Sequence, residues 1–184
     1  MKVQPQNPQS PLEVKAVKMV TVLSVVVLLL LAPPAVSQIP DDNLVVPGQR
    51  IGKWRLEMTI RELVQMNGPA TLIEILTTQD GVPPLPRRHV WDPPGFAAIT
   101  RDGQRVEFLL IGDARFKTEK NVGPGSTRAA VQSAYGTPTA ETPVRPGRTR
   151  MIYDSIGFAV NVDGDPVVGV NVFRPGTGRS NWSF

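Results

Sequence analysis

Trp91-Asp92-Pro93-Pro94-Gly95-Phe96-Ala97 is answered later in the chain by Tyr153-Asp154-Ser155-Ile156-Gly157-Phe158-Ala159: an aromatic, an Asp, a Gly bend, then Phe-Ala. Upstream, Thr59, Leu63 and Gly68 recur at the same spacing as Thr127, Val131 and Gly136. Downstream, Asp102-Gly103 and Asp163-Gly164 each precede an apolar run. A pattern repeated in this order reads as a duplicated unit. The shared residues form no set of reactive groups, so the repeat points to architecture and binding rather than catalysis.

Local chemistry fills in each unit. Thr59-Ile60-Arg61-Glu62 has the spacing of a capping box, with Ile60, Leu63 and Val64 on one helical face and Gly68-Pro69 as the stop. Thr127 opens the second helix, Ala130, Val131 and Ala134 form its apolar face, and Gly136 with Pro138 ends it. Two turns of helix do not stand alone in water, so both helices need a sheet to lie on. Alternating, β-branched segments supply it at 88–91, 96–100 and 105–111 in the first half, and at 150–153, 158–162 and 167–173 in the second. The Asp-Gly pairs suit tight hairpins between the second and third strands of each set. The expected fold class is therefore α+β: two tandem units, each a short helix followed by an antiparallel three- or four-stranded meander. The first half holds six more residues between helix and signature, expected as a surface loop around 77–86, with 71–76 as an added strand.

Residues 1–37 read as a signal peptide. Lys2, Lys15 and Lys18 precede an apolar stretch at 19–32, and Ala35-Val36-Ser37 offers small residues for cleavage. Retention of that stretch as a membrane anchor is the competing expectation. The boundaries that follow are a linker at 38–50, a first α+β repeat at 51–116, a second at 117–175 and a C-terminal tail at 176–184. Beyond the leader, 17 Lys plus Arg face 15 Asp plus Glu in an interspersed pattern, which excludes an electrostatic footprint for nucleic acid. The chain has no Cys, hence no disulfide framework and no lipid-bearing Cys.

The run Ile51-Gly52-Lys53-Trp54-Arg55-Leu56-Glu57-Met58-Thr59, with Leu63 and Gly68-Pro69 beyond it, resembles the opening of the small exported domains typified by the SmpA/OmlA outer-membrane assembly lipoproteins and the β-lactamase inhibitor proteins. The resemblance covers about residues 51–173. It implies an extracytoplasmic domain that contacts other proteins with its sheet face and loops and carries no catalytic residues. Glu57 stands where that opening commonly has Gly, and the Cys residues of both groups are missing, so neither group's particular function transfers.

A search for site chemistry finds little. His89 is the only histidine, which rules out a His-based triad or a multi-His metal site. Asp92 and Asp154 could be imagined as paired carboxylates, but a short Asp beside a Gly bend more simply caps its turn. Asp163-Gly164-Asp165 lacks the further ligands of a calcium loop, and Gly123-Pro124-Gly125-Ser126-Thr127 lacks the Lys of a phosphate loop. The expectation is a non-enzymatic protein-interaction module, exported to the periplasm, the envelope or the medium, with no cofactor or metal. Its partner is another envelope or secreted protein, and membrane contact comes only through an uncleaved N-terminal segment. The alternatives are an inhibitor of a secreted hydrolase acting through the 77–86 loop, and a hydrolase using Asp92 or Asp154. One helix per unit leaves the opposite sheet face free, which nominates Ile99 and Arg101 for partner binding, and Trp54, set between two basic residues, as an exposed anchor.

Overall fold

In the computed structural model residues 42–76 and 85–178 are described. The leader, the core of the 77–86 loop and the last six residues lie outside the described residues. The chain runs β1 (Leu44–Val46), β2 (Arg50–Ile51), β3 (Trp54–Arg55), α1 (Ile60–Asn67), β4 (Leu72–Ile75), β5 (Arg87–Trp91), β6 (Phe96–Thr100), β7 (Val106–Ile111) and β8 (Lys117–Thr118). It continues through α2 (Arg128–Tyr135), β9 (Ala140–Arg145), β10 (Arg148–Tyr153), a 3-10 turn (Asp154–Ile156), β11 (Phe158–Asp163) and β12 (Val167–Phe173).

This architecture corrects the expectation of two α+β units. The described residues are mostly β, with two helices of eight residues each. Eight antiparallel strands form one continuous sheet in the order β4-β5-β6-β7-β12-β11-β10-β9. The physical reason lies at its centre. β7 and β12 pair antiparallel, with Phe108 opposite Phe173 and Leu109 opposite Val172, so the edges that two separate meanders would have exposed satisfy each other. A second sheet, in the order β3-β2-β1-β8, uses residues read as linker. That reading of 38–50 is corrected too, because β1 is a central strand of this sheet and its Val45 is fully buried. β9 was also missed: the second half has its own strand directly after the helix.

One core joins the elements. Phe96, Ala98 and Leu109 from one half meet Phe158, Val160 and Val172 from the other; Leu63 of α1, Val131 of α2, and Val45, Ile51 and Trp54 of the small sheet close over the same face. Both helices start where the threonines place them. Thr59 Oγ1 accepts from the Glu62 amide while the Glu62 carboxylate accepts from the Thr59 amide, whereas Thr127 caps α2 with one bond, from the Ala130 amide. The two signature segments make matching contacts inside the one sheet. Trp91 Nε1 donates to the Gly68 carbonyl at 2.9 Å, and Tyr153 OH donates to the Gly136 carbonyl at 3.2 Å. Each aromatic thus ties the end of a helix to a strand.

Gly157 has a further constraint. Its φ is 67°, and a Cβ there would stand 2.0 Å from the Phe173 carbonyl oxygen and 2.8 Å from Gly48 Cα. Its own carbonyl accepts from the Gly48 and Phe173 amides. Only a residue without a side chain lets the β1–β2 turn close onto the large sheet here.

Candidate functional site

Two of the three nominated partner-binding residues are not on the surface. Trp54 is 5% exposed, stacked on Phe96 with ring centroids 3.9 Å apart, and its Nε1 donates to Asn67 Oδ1 at 3.1 Å. The basic neighbours suggested exposure, but in an extended segment successive side chains point to opposite sides, so Arg55 is exposed while Trp54 enters the core. Ile99 is 4% exposed and belongs to a second apolar cluster with Leu76, Phe108, Ile152, Ala159 and Phe173. These side chains line up across the face opposite the helices, so the middle of that face is buried apolar surface rather than open ground. Arg101, just past β6, is exposed, and its Nε donates to Glu107 Oε2 at 3.3 Å.

Arg101 leads to the feature that the sequence did not single out. It lines a furrow of about 280 Å³ with Glu57, Arg105, Glu107 and Arg174, floored in part by Phe108. Glu57, Arg105 and Arg174 also line an adjoining groove of about 630 Å³, to which Arg55 and Glu62 contribute. Four arginines and three glutamates therefore border one continuous depression.

Its centre is Glu57. The residue sits at φ 69°, a left-handed conformation that costs an L residue with a side chain about 1–2 kcal/mol. The surroundings hold it there. The Glu57 amide donates to the Val106 carbonyl at 3.0 Å, Arg105 Nη1 donates to the Glu57 carbonyl at 3.2 Å, and the Val106 amide donates to the Met58 carbonyl at 2.9 Å. The Glu57 carboxylate pairs with Arg174. Beneath it the β6–β7 turn is fixed by Asp102, whose Oδ1 accepts from the Gln104 and Arg105 amides at 2.8 and 3.0 Å. Those amides hold the Asp102 carboxyl below the usual carboxylate range. Glu62 is lowered as well, first by the Thr59 amide and hydroxyl and then by Arg55 and Arg105. The site is a lattice of arginines and carboxylates joined by the Glu57–Arg174 and Arg101–Glu107 pairs. The sequence signal for it is Glu57 itself, the glutamate noted above as standing where the resembled opening commonly has Gly.

The remaining candidates have structural settings. Asp92 follows β5 and Asp154 follows β10, with four strands of the sheet between β5 and β10. Asp154 Oδ1 accepts from the Gly178 amide at 2.7 Å rather than from its own turn, and the Asp92 amide donates to Thr71 Oγ1. His89 is 5% exposed beside Trp91, and burial, followed by Arg87, holds its pKa below the ordinary value. Asp163 pairs with Arg148 and Arg145, and Asp165 Oδ1 accepts from the Arg128 amide at the start of α2. Among the described residues no group of three His, Asp or Glu side chains converges to hold a metal ion. No protein-family model matches the chain, and no curated protein or solved structure matches it.

Proposed function

We propose that this chain is an exported, non-enzymatic protein-interaction module that engages another envelope or secreted protein through the arginine-bordered depression around Glu57. The observation that carries the reading is Glu57 itself, a strained residue on the surface whose carboxylate is held by an arginine. Strain of this kind persists where the surroundings over-determine it, and it gathers at binding sites. Arginine suits the role because its planar fork binds carboxylates in defined geometry and is enriched where proteins meet. A partner carboxylate can exchange with that of Glu57 on Arg174 without leaving a charge unpaired in the interior, since both side chains are exposed. The resemblance of residues 51–59 to exported interaction domains and the signal-like leader supply the compartment.

Site-specific photo-cross-linking in the native envelope tests the reading. A photoreactive residue at Arg101 or Arg174 is expected to trap a discrete protein adduct, and one at Gln132 on the exposed side of α2 is not. Arg174→Glu should weaken capture through a probe at position 101 while leaving thermal unfolding nearly unchanged, because an exposed ion pair contributes about 0–1 kcal/mol. Equal adducts from all three positions, or none, would sink the assignment.

A further inference from the structure

The eight-stranded sheet ends differently at its two edges. β9 carries the features that discourage strand pairing: Pro143 within the strand, exposed Glu141 and Arg145, and a register break opposite Arg148/Thr149. β4 carries none of them. Its sequence is Leu-Ile-Glu-Ile, it pairs only with β5 among the described residues, and Leu72, Ile73 and Ile75 are 50%, 57% and 64% exposed. Its one charge, Glu74, is taken by Arg88 on the neighbouring strand.

The hydrogen-bonding phase of β4 follows from its far end. The Leu76 amide donates to the Pro86 carbonyl at 2.8 Å, so Leu76, Glu74 and Leu72 turn their backbone groups toward β5. The backbone groups of Ile73 and Ile75 therefore point outward. These are the residues whose side chains are most exposed and share the face that holds buried His89 and Trp91.

We infer that β4 is a homodimer strand: a second copy of this chain adds its own β4 antiparallel, about a two-fold axis at Ile73. Three arguments select this occupant and register. A two-fold at Ile73 makes each outward amide and carbonyl of that residue bond its counterpart, and brings the exposed isoleucines of both copies together on one face. It sets Leu72 opposite Glu74 of the other copy, whereas a two-fold at Glu74 would set like charges directly opposite. The guarded β9 edge blocks head-to-tail growth from β4 onto β9, which leaves a closed pair rather than a fibre. The strand is short, so the interface belongs to the small class and the dimer forms at high protein concentration.

The chain has no cysteine, so single cysteines introduced into the full chain report the register without interference. Across the two-fold the Cα atoms at position 73 stand about 5.5 Å apart, within disulfide reach, while those at position 75 are separated by about 14 Å. Under mild oxidation Ile73→Cys is expected to give a covalent dimer at least tenfold faster than Ile75→Cys. Sedimentation equilibrium of the wild-type chain at about 1 mM should show dimer and nothing larger, and Ile73→Lys, which replaces an exposed side chain and stays folded, should show monomer. Equal cross-linking rates at 73 and 75, a wild-type monomer at that concentration, or species larger than a dimer would each overturn the proposal.

Discussion

At the residue scale, Trp54 separates what a local reading delivers from what packing decides. Its burial depends on a ring stack with Phe96, forty-two positions away, and on a bond to Asn67 at the end of α1. Trp54→Ala is expected to lower unfolding free energy by about 3–5 kcal/mol in urea titrations, the cost of truncating a buried Trp. His89 offers a second test. Its folded pKa lies below the ordinary 6.5 because burial, reinforced by Arg87, disfavours the imidazolium. A depressed pKa means that the unfolded chain binds the proton more readily, so this contribution to stability is complete above 6.5 and is lost as pH falls toward the folded value. Unfolding free energy of the wild type should therefore drop between about pH 7.5 and about pH 5.5, ahead of any carboxylate titration. His89→Phe, which keeps an aromatic beside Trp91, should flatten that part of the profile; an unchanged slope would show that His89 is not the group responsible.

At the scale of elements, the caps and hairpins were legible because their information lies within a few residues. Thr59 and Glu62 are three positions apart, and Gly103 and Gly164 take φ of 75° and 66° where the Asp-Gly pairs require it. The two helices nonetheless differ in how firmly they begin. Thr59 shares a reciprocal cap with Glu62, whereas Thr127 has no such partner and relies on Asp165, across the chain, to receive the Arg128 amide. Thr59→Ala removes the cap bond and leaves Glu62 without its hydroxyl partner, so it is expected to cost about 1–2 kcal/mol, against about 1 kcal/mol or less for Thr127→Ala. Paired thermal melts of the two variants decide the order. β1, β2, β3 and β8 were not legible, and the reason is length. Strands of two or three residues carry no alternation to detect, and the pairing of β1 with β8 joins residues seventy-three positions apart.

At the scale of the whole molecule, the decisive contact is one that no local pattern announces. Alternation identified β7 and β12 as strands, but their mutual pairing is a long-range choice that turns two meanders into one sheet. Its consequence is cooperativity. The described residues fall within a single compact unit, and the main core takes side chains from both halves and from both helices, so neither half retains a covered face without the other. The described body is expected to unfold in one transition, with fluorescence of Trp54 and Trp91 in the first half coinciding with loss of the β-sheet circular dichroism signal. Hydrogen exchange sharpens the test. Amides of β6 and β11 should open at the same free energy, and Leu109→Ala at the β7–β12 seam should lower both by the same amount, about 2–5 kcal/mol. Two independent units would instead lose protection only on the mutated side and leave Phe158 to Val162 of β11 untouched. Equal loss on both strands follows only if the seam holds the halves as one structure.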